Sequence, residues 1–356
     1  MSCVLTVDII INNYNYGRFV EACVDSALGQ TYGRVRVIVV DDGSTDDSRQ
    51  RLCDYANRVD LVFKQNGGQA SAINAGFLRS RGDVVIFLDA DDVLHSAAAE
   101  LVAAAFAEHS AAARVQYRQD VIDDEGRPTG VVQPEAHLRM LSGDLRRAEL
   151  VCPLDLVWLR SGAVAFRSTA LRRVLPIPER EFAACPDWYL VHLTTLVGDV
   201  VSLPDVATSY RIHGDNHYAI GEQRLDLRHV RQSIAYGAAT TKALERFSDE
   251  LGLERPHSEI LSVSDVANRL VSLRLDPGAH PVDGDRRWSL PVLGIRAATR
   301  RVDVAVGMKL LFGAWFVAMS IVPRRLAIPL AERFIFPERR RLLNTLLARW
   351  HRGQVG

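Results

Sequence analysis

The sequence predicts an α/β protein with a mostly parallel sheet covered by helices on both faces, followed by a helical C-terminal region. Three observations carry this reading. Through residues 1–112, short β-branched apolar runs alternate with amphipathic stretches. The runs are continuous rather than polar-alternating, which marks strands buried on both faces. Beyond residue 222 the strand-like runs stop and helical spacing takes over. Strands alternating with helices build parallel sheets, and their ligands bind beyond the carboxyl ends of the strands.

The elements follow in order. Residues 4–11 read as a buried strand broken by Asp8, and 19–28 have helical spacing. VRVIVV at 35–40 is a second buried strand. Ser44, with Asp47 three residues on, reads as a capped helix start running to about Tyr55. Residues 61–63 form a short strand, and 69–79 a helix with small residues on one face. VVIFL at 84–88 is another buried strand, and an Ala-rich helix follows from 96 to about 109. Residues 115–127 read as a strand entering a turn, 163–166, 200–203 and 207–211 as short strands, and 187–196 as a helix. Two long helices are expected between 222 and 275. The organisation expected is a domain over 1–221 in two halves, 1–112 and 113–221. A helical extension over 222–275, a Pro/Gly/Asp linker over 276–285 and a basic, apolar tail over 286–356 follow.

Composition narrows the class. Hydrophobic residues make up 48% of the 356 and charged residues 24%, an ordinary globular mixture rather than a disordered one. The formal net charge is zero but uneven: residues 286–356 hold 14 Lys and Arg against 3 Asp and Glu, so this tail carries +11 and the rest −11. The acidic part suits a site for a metal cation, and the basic tail an anionic partner such as a lipid surface. No nucleic-acid partner is expected. Five cysteines, an odd number without a CxxC pair, and no basic-then-apolar leader fit a reducing cytoplasmic compartment. The tail contains LLFGAWFVAMSIV at 310–322, an uncharged run of 13 residues. Spanning a bilayer takes about 20. Lys309, Arg324 and Arg325 flank the run, and a second amphipathic stretch covers 326–350. Peripheral contact through 302–350, on the inner face of the cell membrane, is expected; a buried helical hairpin is the alternative.

The strand ends collect acidic groups. The second strand runs into Asp41-Asp42-Gly43-Ser44, and the fourth into Asp89-Ala90-Asp91-Asp92. Three carboxylates in four residues repel one another, and at the ligand edge of a sheet Mg²⁺ or Mn²⁺ relieves that repulsion while leaving positions open for phosphate. The Gly-rich turn at 66–76, containing Gly68, Gln69 and Asn74, enters a helix whose N-terminus favours phosphate. It is neither a Walker loop nor GxGxxG.

Several of these segments together resemble family-2 glycosyltransferases. VDIIINNYN at 7–15, VIVVDDGS at 37–44, the stretch 66–76 and the stretch 80–92 match that family's opening motifs in order. VLPIPE at 174–179, Pro186-Asp187-Trp188 and YRIHGDN at 210–216 resemble its acceptor-side motifs. The resemblance spans roughly residues 4–218. It implies a GT-A fold and inverting transfer from a nucleotide sugar, with a UDP-sugar favoured. The acceptor would be a hydroxyl of a glycan or lipid-linked sugar, in cell-surface polysaccharide or glycolipid synthesis. Carried over by position, Asn12, Tyr14 and Asp42 would line the nucleoside pocket, with Gly68, Gln69 and Asn74 beside them. Asp89 and Asp91, flanking Ala90, would contact ribose and metal, and Asp92 is a second metal candidate. Asp187 would be the general base, Trp188 and Arg211 would face the acceptor, and His213 would sit near the metal and phosphates.

Two departures stand out. Ile73 occupies a position where many relatives carry Arg, which shifts charge neutralisation to the metal, His213 or Arg211. Pro186 stands where the family often has Glu. These departures are the support for an alternative, a non-catalytic sugar-nucleotide-binding scaffold at the membrane. A nucleotidyltransferase is disfavoured, because the loop after the first strand has only Arg18 nearby and no basic Gly-rich cradle for a triphosphate.

Overall fold

The structure is a computed structural model and describes residues 4–135, 140–156, 159–183, 185–214 and 225–336. In chain order the described strands are β1 (Val7–Asn13), β2 (Val35–Asp41), β3 (Asp60–Phe63), β4 (Val84–Asp89), β5 (Val93–Leu94), β6 (Ala112–Ile122), β7 (Pro128–Gln133), β8 (Val164–Arg167) and β9 (Asp199–Arg211). The helices are α1 (Gly17–Leu28), α2 (Ser48–Cys53), α3 (Gln69–Arg79), α4 (Ala98–Glu108), α5 (Arg146–Glu149), α6 (Ser168–Val174) and α7 (Pro186–Val197). They continue with α8 (Leu227–Glu250), α9 (Val263–Leu275), α10 (Ser289–Arg300), α11 (Val306–Ile321) and α12 (Arg324–Ile335). The chain forms two compact units. One comprises Met1–Glu149, Val157–Ala219 and Lys242–Arg255; the other comprises Leu150–Leu156, Ile220–Thr241 and Pro256–Gly356.

The first unit is the α/β part, with the sheet order β3-β2-β1-β4-β8-β6-β9-β5 and β7 on β6. β3, β2, β1 and β4 are mutually parallel, β6 and β9 pair in parallel, and β8 runs antiparallel between β4 and β6. Val7, Ile9, Ile10 and Ile11 are all fully buried, so both faces of β1 are covered, as the unbroken apolar run requires. The parallel register sets Asn12 of β1 opposite Val40 of β2 and Asp89 of β4, which brings the polar strand ends to one edge.

Two local features explain the sequence pattern. Asp8, buried in an otherwise apolar strand, accepts hydrogen bonds from Ser80 Oγ, Arg81 N and Gly82 N at 2.7–2.9 Å. It therefore ties the start of β1 to the turn entering β4. Gly76 lets α3 lie against the sheet: a Cβ there would meet Ile10 Cγ2 at 2.4 Å, so the small-residue face of this helix is a packing requirement.

Two readings of the sequence are corrected. Ser44 does not cap a helix. Its Oγ accepts from Asn15 N and Asn13 Nδ2, closing the loop after β2 onto the end of β1, and α2 begins at Ser48. Residues 200–203 and 207–211 belong to one strand, β9. The register against β6 slips between Ser202 and Val206, so exposed Pro204 falls where no ladder bond is required of it.

The second unit is helical. Val266, Leu270 and Val271 of α9 pack with Leu290 and Ala297 of α10, Phe316 and Met319 of α11, and Ala331 of α12. The start of α9 is capped from a distance: Asp155 accepts from Val263 N and Ser264 N at 2.7 and 2.8 Å. α11 contains most of the 13-residue apolar run. Phe312, Trp315, Phe316 and Met319 are buried, while Leu310, Val317 and Ile321 are exposed. Among the described residues, no helix is long and apolar enough to cross a membrane. The stretch 337–350 of the expected membrane-contact segment lies outside the described residues.

Removing the Asp8 carboxylate leaves Ser80 Oγ, Arg81 N and Gly82 N without their acceptor at a part-buried turn. The Asp8→Ala variant is expected to lose about 3 kcal/mol, read as a lower urea midpoint, whereas Arg36→Ala, which removes only the partly exposed cation 3.7 Å from Asp8, changes little.

Candidate active site

The carboxyl ends of β1, β2 and β4 open into a cleft of about 440 Å³, within the range of small-molecule sites. Asn12, Tyr14, Asp42, Gly68, Gln69, Asp89, Asp91 and Asp187 all line it. Four carboxylates from three separate stretches of the sequence thus face one space.

The floor is built on Asp89. Asn12 Nδ2 and Gln69 Nε2 both donate to its Oδ1, at 2.9 and 2.7 Å. Burial first, then the charge of Asp91, pushes the Asp89 carboxyl up to about 7, and the two amide donors only partly offset this. Asn12 Oδ1 is buried without a hydrogen-bond partner among the described residues. Beside it, Asp91 Oδ2 lies 3.0 Å from His213 Nε2. The His213 ring is buried against Phe19 and Tyr16, with centroids 4.9 and 5.5 Å away. Asp92 is buried below the cleft and is not among its lining residues; its Oδ1 accepts from Arg211 N. Burial first, then Asp91 and Asp89, raises its carboxyl well above the usual range. Ala90 is buried and donates its N–H to Asn12 O.

One wall belongs to the nucleotide-side loops. Tyr14 is 45% exposed, so its ring is a free face rather than a core side chain. Asp42 accepts from Gly67 N, from Gly68 N at 2.7 Å and from the Lys64 ammonium, and so fixes the glycine turn to β2. Gly68 precedes the first turn of α3, whose N-terminus faces the cleft through Gln69. Asn74 is placed differently: its amide brackets Ile177, accepting from its N–H and donating to its C=O, and it does not line the cleft.

The opposite wall carries Asp187 in the first turn of α7. Cys185 occupies the cap position and Pro186 the first helical one, so Asp187 falls inside the first turn rather than at the cap. Its Oδ1 accepts from Trp188 N at 3.0 Å. Burial raises the Asp187 carboxyl above its ordinary value, opposed by the Trp188 N–H and the charge of Arg160. α7 is anchored behind the cleft by a buried 2.6 Å contact between His192 Nδ1 and Glu149, and by Tyr189 Oη on Val174 O. Trp188 packs edge-on against His192, at 5.8 Å, and does not line the cleft.

Arg211, expected beside the acceptor, lines a separate hollow with Arg18 and Asp124. Its guanidinium donates to the carbonyls of Asp91, Asp123 and Asp124 and lies 4.8 Å over the Phe19 ring. It braces the aspartate turn. Asp215 and Asn216 of the last motif lie outside the described residues. Sequence reasoning missed Tyr16 and Arg160, both of which line the cleft.

The aspartates fit a divalent cation. Asp91 and His213 form a ready pair, and the raised carboxyls of Asp89 and Asp92 show negative charge that the protein alone leaves under-compensated. Among the described residues no group of three or more His, Cys, Asp or Glu side chains is placed to hold a metal ion, so a cation here would have to be held by one or two protein groups together with substrate phosphates and water.

Comparison with known proteins agrees with this geometry. The profile of Glycosyl transferase family 2 matches residues 8–163. An uncharacterized glycosyltransferase of Nostoc sp. is 32% identical over 220 residues, covering 60% of this chain and 67% of that protein. The uncharacterized glycosyltransferase EpsJ of Bacillus subtilis is 40% identical over 94 residues, covering 26% of this chain and 27% of its own length. The crystal structure of S. aureus TarS 1-349 in complex with UDP-GlcNAc superposes with a TM-score of 0.51 at 15% identity, covering 89% of this chain and 90% of that one, a likeness of fold. The chain belongs to glycosyltransferase family 2. Its fold is GT-A, and Asp187 and His213 lie beyond the residues that the family profile matches.

Arg211 has a testable structural weight. The Arg211→Met variant leaves three carbonyls without their donor beside buried Asp92, and is expected to cost about 3 kcal/mol, seen as a lower thermal midpoint.

Proposed function

We propose that the protein is an inverting glycosyltransferase that moves a sugar from a nucleotide diphosphate sugar to a hydroxyl of a glycan or lipid-linked acceptor. The observation that carries this is the shared cleft lined by Asp89, Asp91 and Asp187. Tyr14 offers its exposed ring for stacking on the base, and Asp42 an acceptor for a base N–H. The unpartnered Asn12 oxygen and the raised Asp89 carboxyl suit ribose hydroxyls. Gln69 and the α3 N-terminus favour the phosphates. UDP is the favoured nucleotide, in keeping with the UDP-GlcNAc complex of TarS.

Asp91, with His213 and Asp92 beside it, would hold Mg²⁺ or Mn²⁺. Such a cation, when bound, supplies charge stabilisation to the departing diphosphate. Asp187 does the proton chemistry. The acceptor oxygen forms a bond to the anomeric carbon as the bond to the diphosphate oxygen breaks, and Asp187 takes the hydroxyl proton. Trp188 follows the base in sequence and is kept as the acceptor-side candidate, its ring standing outside the cleft lining.

The exposed apolar residues of α10, α11 and α12, together with the +11 charge over 286–356, support peripheral contact with an anionic membrane. On this reading the reaction takes place at the inner face of the cell membrane, in polysaccharide or glycolipid synthesis.

Asp187→Asn is expected to lower kcat by about 10²- to 10⁴-fold while leaving donor binding unchanged. Because burial raises the Asp187 carboxyl, kcat/KM of the wild type falls on acidification from a pH above the usual carboxylate range, as the base becomes protonated. An Asp187→Asn enzyme of full activity, assayed with a panel of nucleotide sugars, excludes this mechanism. For the membrane, Leu310→Glu with Ile321→Glu alters only exposed positions, 70% and 61% accessible. The pair is expected to abolish co-sedimentation with phosphatidylserine vesicles without moving the thermal midpoint. Unchanged sedimentation removes the proposed contact.

A further inference from the structure

The cleft has a charge problem if its ligand is a diphosphate. Asp42, Asp89, Asp91 and Asp187 line it, and Arg160 is the sole Lys or Arg among its described lining residues. The other nearby cations are engaged. Lys64 is bonded to Asp42 and to Gln65 O, Arg18 pairs with Asp124 in the neighbouring hollow, and Arg211 braces the carbonyls of the aspartate turn. Ile73, on the inner side of α3, is fully buried and contributes nothing polar.

Arg160 is positioned with some care. It opens a turn in which Ala163 N donates to Arg160 O at 3.1 Å, with Gly162 at φ +75. A side chain at that φ is strained, so glycine suits the turn. Gly162 N donates to Phe87 O of β4 at 2.7 Å, and its Cα face lies close to Asp92 Oδ2. The turn is therefore pinned to the strand that carries the aspartates. The guanidinium stacks over the Tyr210 ring, 4.5 Å from the centroid, which holds its plane. Its Nη1 is buried without a hydrogen-bond partner among the described residues. Its charge acts on Asp187, which lines the cleft, and on Asp92, which lies outside the lining.

We propose that Arg160 binds the diphosphate of the donor and stabilises it as it leaves, acting from the wall opposite α3. The inference rests on the glycosyltransferase reading of this cleft. A planar fork with an unused donor is the group that matches phosphate oxygens two at a time, and stacking on Tyr210 removes most of the entropy such a contact otherwise costs. It also supplies, from a different element, the positive charge that position 73 lacks.

The test uses the full-length protein with Mg²⁺ and calorimetric titration of two ligand pairs, UDP with UMP and GDP with GMP. Arg160→Gln is expected to weaken the better-bound diphosphate about 10- to 100-fold, while its monophosphate changes less than about threefold. Arg160→Lys keeps the charge but not the fork and should recover part of the loss. Thermal midpoints of both variants identify any general unfolding. If both ligands of a pair weaken equally in a folded Arg160→Gln protein, or if the diphosphate is unaffected, the proposal is overturned. Should Arg160→Gln fail to fold, Arg160→Lys decides by the same ratio. A wild type that binds neither diphosphate overturns the donor-site reading itself, whereas Asp187→Asn binding UDP normally leaves that reading standing apart from Arg160.

Discussion

Five carboxylates gathered at the ends of β2 and β4, the two strands that flank β1, set the terms for everything around them. A carboxylate taken out of water needs donors or a cation, and one left without them shifts toward its protonated form. Asp41 is matched by Arg49, Ser44 N and Asn13, and Asp42 by Lys64 and the glycine-turn N–H groups. Both are provided with donors by the protein itself, although Asp42 also lines the cleft. Asp89 has two neutral amides, Asp91 has His213, and Asp92 has the Arg211 N–H. For Asp89 and Asp92 that compensation falls short of the desolvation and mutual repulsion, and their carboxyls are raised. Position in the cleft alone does not decide this: Asp42 lines the cleft and is balanced by the loop around it, whereas Asp92, outside the lining, is left short of donors.

The sheet makes this arrangement possible by joining two kinds of strand pairing. In its parallel half, β1, β2 and β4 end together, and the register fixes Asn12 beside Asp89. In its mixed half, the antiparallel β8 turns the chain back beside β4, and β9 brings Tyr210 and Arg211 to the same edge, with His213 just beyond. The side chains that answer the aspartates come from that second half: His213 to Asp91, Arg211 to the turn, and Arg160 from the loop before β8. Only Arg160 depends on the reversal: β9 runs in the same sense as β4, so its carboxyl end brings Arg211 to this edge, whereas Arg160 reaches it from the loop that opens the antiparallel β8.

Much of this was legible in the sequence, and for stated reasons. The buried strands 35–40 and 84–88 are unbroken β-branched runs, a pattern with few alternatives, and 69–79 is bounded by glycine and by a basic last turn. Aspartates following such strands have to lie at the ligand edge. What stayed hidden depends on tertiary contacts. Ser44 looks like a cap because Ser-x-x-Asp is a local signal, but its hydroxyl is claimed by Asn13 and Asn15 from another strand. Pro204 looks like a strand break because a bulge in the pairing cannot be read from one strand alone. Asn74 and Arg211 carry the right chemistry for a ligand, yet both are taken up by backbone groups that only the fold brings near. Arg160 sits in a stretch without periodicity, and no local pattern marks it.

The helical unit limits what membrane contact can mean for this protein. The apolar run at 310–322 is too short to span, and in α11 one side of it is already committed: Phe316 and Met319 are fully buried among α9, α10 and α12. Withdrawing that side into lipid would dismantle the unit's own core, giving up packing on several helices for solvation by hydrocarbon that is no more apolar. Only the outward side chains are available. A helix that contributes half its circumference to a protein core and half to the surface is suited to lie in the headgroup region, with flanking arginines meeting the phosphates. The proposed lipid contact, on these terms, would be shallow, reversible and sensitive to surface charge, and would leave the fold of the helical unit intact.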